Sequence, residues 1–198
     1  MNSELEKYKE QLRKTLGVFE TLSDHDWKIF IDNFKFASFK KGENLLSPGD
    51  RADFSFFICK GLVKRYFLCE DGREYIINFD AENRMVSDFV ALIDHKPARI
   101  YIEALEDVEG LVSDYGYKKK IEAMSSTWQR IGRMLAERRY VEKSNREYNL
   151  LNLSAQNRLE EFKSHNTNVF ERISQKDLAS YIGITPQSLS RILKNPTK

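Results

Sequence analysis

Little in this 198-residue sequence provides for cross-links or metal. It holds two cysteines, Cys59 and Cys69, and three histidines, His25, His95 and His165, none at metal-ligand spacing. Two cysteines in a chain of this length exclude a disulfide framework and a four-cysteine iron–sulfur cluster, and they point to a reducing compartment. Both fall inside predicted strands and are expected to be buried thiols. The histidines read as surface or capping residues. No apolar run approaches the ~20 residues of a membrane helix. The opening M-N-S-E-L-E-K-Y-K-E lacks the apolar core of a signal peptide. The expectation is a cytoplasmic protein without a membrane partner. Charge of one sign is also lacking: 32 Lys+Arg against 30 Asp+Glu leaves +2. Residues 151–198 carry +3 of it and the remainder −1, a weak footprint compatible with nucleic acid. Neither a G-x-x-x-x-G-K-[ST] phosphate loop nor a G-x-S-x-G elbow occurs. No catalytic residue and no metal site are predicted, and an enzyme is not expected.

The stretch with the densest local signals is Ile173–Lys194. Ser174 can cap a first helix, with Asp177 three residues on at the positive end of the helix dipole. Leu178 and Ile182 share one face. Gly183 marks the end, where a left-handed residue is needed, and Ile184 fills the corner. Thr185 caps a second helix whose first position is Pro186. Leu189, Ile192 and Leu193 form its apolar side; Gln187, Ser188, Ser190, Arg191 and Lys194 line most of the rest. Two short helices around a Gly-bearing turn make a helix-turn-helix. Arg, Gln and Ser on the second helix are side chains suited to base edges in a major groove.

The rest of the chain divides by texture. Residues 4–34 read as helical, with Ser23-Asp24 capping a second helix. From about Phe36 short strands take over: Phe54–Cys59, a hairpin of Leu62–Cys69 and Glu74–Phe79 around Glu70-Asp71-Gly72-Arg73, then Arg99–Ala104 and Glu109–Ser113. Short strands at this spacing predict a barrel or jelly roll. From Tyr117 the pattern is helical again. Met124, Thr127, Ile131, Met134, Arg138, Val141, Asn145 and Tyr148 step by three and four residues, a heptad seam with two polar members. A helix follows from the cap Ser154 to His165, and Asn166–Arg172 reads as an irregular polar link.

The helix-turn-helix, and its ending S-L-S-R-I-L-K above all, resembles the cyclic-AMP-receptor/FNR superfamily of bacterial transcription regulators. L-L-S-P-G-D, F-F-I-C-K-G-L-V and D-G-R-E resemble the β-roll of cyclic-nucleotide-binding domains. The S-D-F segment, I-T-P-Q-S-L-S-R and the short ending after it are similar to the Bacteroidetes-like branch. The resemblance spans nearly the whole chain. It implies an α+β protein with an N-terminal double-stranded β-helix (jelly-roll, cyclic-nucleotide-binding-like) domain, a long dimerisation helix and a C-terminal, winged-helix-like helix-turn-helix domain. The corresponding boundaries are 1–116, 117–150 and 151–198. The implied protein is a homodimer that binds a near-palindromic operator in double-stranded DNA and works with RNA polymerase. The alternative is a cyclic-nucleotide-binding regulatory module that acts on a protein partner.

In that superfamily a Gly-Glu pair and an Arg-Ser pair hold the cyclic nucleotide through ribose and phosphate. The matching positions here are Ser87-Asp88 and Ala98-Arg99, and a Thr-Ser pair on the long helix is matched by Lys143-Ser144. Arg139 matches an arginine of that helix. Ser87, Asp88, Arg99, Arg139 and Ser144 are therefore the candidate effector pocket. Ala98 cannot pair with phosphate, and Arg99 as its strand neighbour points to the other face. Classical cyclic-AMP sensing is expected to be lost, in favour of another small molecule or none. The competing reading makes Asp88 a local cap and Arg99 a solvated strand residue. For DNA, the match puts Pro186, Gln187 and Arg191 at base-reading places. Ser174, Gln175, Lys176, Thr185, Ser188, Ser190 and Lys194 complete the candidate contacts, with phosphate holding assigned to the start of the first helix.

Overall fold

The computed structural model describes residues 2–194, apart from the side chains of Asn2, Lys118, Glu122 and Met124. Two features of the sequence reading, the Met124 end of the seam and the ending Asn195–Lys198, lie outside what is described. Among the described residues, eight strands build two four-stranded antiparallel sheets. They are β1 Lys35–Phe39, β2 Asn44–Leu46, β3 Phe54–Lys60, β4 Val63–Leu68, β5 Glu74–Asp80, β6 Arg84–Val86, β7 Tyr101–Ala104 and β8 Val108–Asp114. The orders are β1-β8-β3-β6 and β2-β7-β4-β5, so the chain crosses between sheets at every step except the β4–β5 hairpin, as in a jelly roll. The β4–β5 hairpin turns at Gly72, whose φ of +78° is open to glycine at no steric cost.

Each sheet is covered on both sides, which explains why β3 reads as an apolar run broken only by Ser55 rather than as an alternating one. Phe56 and Ile58 enter the core between the sheets with Leu46, Val63, Ile102 and Val108. Phe57 and Cys59 face a second core formed with the helices. Those helices are α1 Asn2–Gly17, α2 Asp24–Ile31 and α4 Tyr115–Met124, together with the start of α5 Ser126–Asn152. Leu12 and Leu16 of α1 are buried there, and Phe30 stacks on Trp128 at 3.9 Å. The other sheet turns Leu62, Tyr66, Ile76 and Phe79 to a third core. Its partners are α6 Ala155–His165, α7 Thr167–Phe170, α8 Gln175–Ile182 and α9 Pro186–Lys194.

Several expectations need correction. The helical run starts at Tyr115 and breaks once, at Ser125, which is extended (φ −139°, ψ 123°). The Ser125 hydroxyl donates to Asp26 of α2 at 2.9 Å, and the step brings Trp128 onto Phe30. Ile131 of the proposed seam is buried in its own chain. The expected strand at Arg99 begins only at Tyr101, because the Arg99 N–H turns to the Asp88 carboxylate at 3.2 Å. Cys69 lies just past β4 and is only partly covered, whereas Cys59 is buried. Residues 166–172 contain the short helix α7, whose Val169 joins the third core. The six-residue helix α3, Phe89–Asp94, had no counterpart in the sequence reading.

Candidate nucleic-acid interface and sensor pocket

The C-terminal helices are locally determined. Ser174 accepts a hydrogen bond from the Asp177 N–H at 3.0 Å and donates to its carboxylate at 2.6 Å, which caps α8. Gly183 ends α8 in the left-handed region, φ +76°. The Ile184 N–H then returns to the Ala179 carbonyl at 3.0 Å, and the Gly183 N–H to that of Ser180. This is the double bond pattern of a Schellman end. Thr185 caps α9 by accepting from the Ser188 N–H at 3.2 Å. Leu189 is fully buried. From α6, Arg158 donates to the carbonyls of Ile182 (2.7 Å) and Leu153 (2.6 Å), fixing the end of α8 against the end of α5.

The predicted DNA contacts fall into two groups. Gln187, Arg191 and Lys194 on α9 are exposed, as are Ser174, Gln175 and Lys176 at the start of α8. Two hydroxyls are engaged in capping, those of Ser174 and Thr185, while Ser188 also receives the Arg191 guanidinium at 3.3 Å. Ser188 and Ser190 are half-buried. The face opposite Leu189 therefore presents an amide, a guanidinium and an ammonium.

This unit is seated on the β2-β7-β4-β5 sheet. Strand β5 is the edge of its sheet, and Ser180 of α8 occupies its free hydrogen-bonding side. Ser180 Oγ accepts from the Ile76 N–H (3.1 Å) and donates to the Glu74 carbonyl (2.7 Å). Arg146 of α5 donates to the carbonyls of both Ile76 (2.7 Å) and Tyr181 (3.0 Å), with its guanidinium over the Tyr75 and Tyr181 rings. Arg172 binds Glu82 and Glu106 through four contacts of 2.7–2.9 Å. Burial alone would raise the Glu82 pKa, but the Arg172 guanidinium and backbone N–H groups, that of Gly61 among them, outweigh it and hold the carboxyl below its usual range. Lys64, 6% exposed, reaches Glu74 at 2.6 Å and Asp177 at 3.7 Å.

Of the predicted effector residues, the structure joins Asp88 to Arg99 with Ser87 beside them, while Arg139 is engaged elsewhere. Asp88 is buried and spends one carboxylate oxygen on the Ala91 N–H (3.1 Å), capping α3, and the other on the Arg99 N–H. This is the local-cap reading. Ser87 donates to the Phe54 carbonyl at 2.9 Å. Ala98 is buried, the Arg99 side chain is exposed, and Ser144 is half-buried. Arg139 lies in a different cluster, one that the sequence reading missed. Its centre is Asp80, which is fully buried. Asp80 takes Arg65 of β4 at 2.8 Å, Arg139 of α5 at 2.9 Å and Asn78 at 3.1 Å, with Arg84 of β6 at 3.8 Å. Arg139 also donates to the Met85 carbonyl at 2.7 Å, and Glu142 bridges Arg84 (2.8 Å), Arg139 (3.2 Å) and Arg138 (3.3 Å). Burial alone would raise the Asp80 pKa, but Arg65, Arg139 and Arg84 outweigh it and hold the carboxyl well below its usual range. The available signal was charge inside apolar strand runs: Arg65 next to Tyr66, and Asp80 after Phe79.

A cyclic nucleotide, which the fold implies as a ligand, does not fit these residues. The carboxylate matched to its ribose is committed to backbone, the position matched to its phosphate partner is a buried alanine, and Arg139 already carries a carboxylate. Among the described residues no group of His, Cys, Asp and Glu is arranged to hold a metal ion, and no helix is long and apolar enough to cross a membrane.

Residues 36–117 match the cyclic nucleotide-binding domain family. No curated protein matches the chain. Among solved structures, the c-di-GMP-responsive global regulator CLP of Xanthomonas campestris is similar over 87% of this chain and 90% of its own, at 16% identity and a TM-score of 0.69. FixK2 of Bradyrhizobium japonicum is similar over 81% and 83%, at 19% identity and 0.68. A protein of Eubacterium rectale described as a transcriptional regulator of the Crp/Fnr family is similar over 87% and 82%, at 18% identity and 0.68. At these identities the likeness establishes a shared fold. The matched family is a binding domain, not a catalytic one.

Proposed function

We propose that this chain, whose residues 36–117 belong to the cyclic nucleotide-binding domain family and whose fold is that of Crp/Fnr-type regulators, is a homodimeric transcription regulator that reads DNA with α9. The observation that carries the reading is the outer face of α9: Gln187, Arg191 and Lys194 stand exposed on a helix whose opposite side, Leu189, is fixed in the core. Arg191 can fork onto guanine, and Gln187 matches adenine. Ser174, Gln175 and Lys176 offer a helix start and a cation to phosphate. The proposed units are the sensor over 1–116, the dimer helix over 117–150 and the reader over 151–198.

Pairing of two copies is supported by α5. Tyr140, Val141, Tyr148 and Leu151 are 71%, 53%, 61% and 78% exposed. At ~100° per residue, Val141 and Tyr148 lie about 160–180° around the helix from Arg139, which faces the barrel. The helix thus presents one apolar face away from its own sensor, as a pairing helix requires. Two copies would carry two recognition helices suited to half-sites about one DNA turn apart. Recruitment of RNA polymerase is part of the same proposal, and the soluble interior of a bacterial cell is its setting.

The test is selection from a random-sequence duplex pool, followed by sizing of the complex. A near-palindromic consensus bound by two copies is expected. Enrichment of no sequence would defeat the reading and favour a sensor module acting on a protein partner.

A further inference from the structure

Three arginines from three separate elements, Arg65 on β4, Arg84 on β6 and Arg139 on α5, point at one carboxylate that water does not reach, Asp80 on β5. A second carboxylate, Glu142, joins Arg84 and Arg139 and reaches Arg138. Two carboxylates thus serve four guanidiniums. This cluster joins the long helix to the sensor barrel: through Arg139 to Asp80 of β5 and to the Met85 carbonyl, and through Glu142 to Arg84. A buried charge is stable only when paired, so an anion must sit among these cations for the helix to dock. In a sensor, that anion can come from a ligand. Here it comes from the chain.

We propose that Asp80 is a built-in counterion that does the work of an anionic effector, so that the long helix is joined to the barrel without one. The inference rests on the regulator reading only for its consequence, which is DNA binding independent of a cyclic nucleotide. Two further observations agree with it. The Asp88 carboxylate is consumed by the Ala91 and Arg99 N–H groups, and Ala98 is buried beside them. An anionic ligand entering between helix and barrel would have to displace Asp80 from Arg65, Arg84 and Arg139.

The reasoning predicts chemical rescue. Replacing Asp80→Ala leaves the three guanidiniums facing a small space, and breaking a buried pair of this kind lowers the melting temperature by roughly 6–20 °C. Formate at 100 mM should restore at least half of the loss, relative to chloride at equal ionic strength, and should leave the wild-type protein unchanged. No recovery would overturn the proposal. If Asp80→Ala does not fold alone, refolding yield in formate against chloride becomes the readout, and equal yields overturn it. Wild-type protein is melted in parallel with cyclic AMP and with cyclic GMP at 1 mM. A nucleotide with a dissociation constant near ~10 μM would raise the midpoint by about 5–10 °C. No shift is expected, and a saturable rise overturns the proposal. A last arm measures affinity for a selected duplex with and without 1 mM cyclic AMP, with a change below twofold expected and a larger gain overturning it. Failure to select any duplex would count against the regulator reading alone, because the melting arms do not involve DNA.

Discussion

Replacing Leu189 with alanine perturbs the proposed DNA reader, yet its effect should be registered at the other end of the molecule. Leu189 is fully buried in a core that also holds Leu62, Ile76 and Phe79 of the sensor sheet. Leu→Ala at such a site costs ~2–5 kcal/mol, the transfer loss plus the unfilled cavity. For a chain of this size each kcal/mol moves the melting midpoint by roughly 2–4 °C, so a fall of about 4–20 °C is expected. The chain has two tryptophans: Trp128 is buried in the core formed with the N-terminal helices, and Trp27 of α2 packs against it. Their fluorescence therefore reports unfolding of the sensor end. If the shared core, the Ser180 contacts and the Arg172 bridges bind reader and sensor together, the fluorescence and far-ultraviolet dichroism midpoints fall in step. A dichroism midpoint that drops while the fluorescence midpoint stays in place would refute the coupling and show two independent units.

Other expectations are more compact. Arg191→Ala should cost ~1–3 kcal/mol of base discrimination in competition binding; an equal loss on all duplexes would mean that Arg191 touches phosphate only. Val141→Asp with Tyr148→Asp should convert a dimer to a monomer in sedimentation, and an unchanged mass would exclude this face of α5. The Asp80, Glu82 and Glu142 carboxyls are all held below their ordinary values, for Glu142 by Arg84 and Arg139 against the opposing effect of burial. Their contribution is present above the unfolded values, 3.8 for Asp and 4.5 for Glu, and is lost as pH falls through the folded ones. The urea midpoint should thus be level near neutrality and decline below about pH 4.5; a flat profile down to pH 3 would contradict the ion network. Burial pushes the Cys59 thiol up to about 12, so a thiol reagent should modify partly exposed Cys69 first and Cys59 only on unfolding. Equal rates in the native protein would contradict the packing of β3.

The helix-turn-helix was legible because its determinants are local: Ser174, Gly183, Thr185 and Pro186 each act within four residues. The main strands were legible for a similar reason, with β3, β4, β5 and β8 displaced by only a residue or so at their ends. The short strands β1, β2 and β6 carry too few residues to show a period, and they exist because a neighbour pairs with them. Ser125 looked like the middle of a helix, since nothing nearby betrays that Asp26, 99 positions away, takes its hydroxyl. The effector pocket is the most instructive case. Its matched residues lie at the right places in sequence, but Asp88 is claimed by its own backbone and Arg139 by Asp80, 59 positions distant. Ion pairs between distant strands leave no periodic trace, so Asp80, Arg65 and Glu142 went unnoticed.

The hydroxyl of Ser180 on the rim of β5 has a consequence for anyone dissecting the protein. An uncapped strand rim is a template for pairing with other chains, and proteins blunt such rims with charge, proline or a covering element. Here the covering element is the reader itself. Cutting the chain near residue 150 would strip Leu62, Ile76 and Phe79 bare and leave the Glu74 and Ile76 backbone groups without Ser180. The isolated barrel should then be sticky and prone to self-association, and grafting a foreign reader onto it would need a substitute for that one serine as well as for the greasy face beneath it.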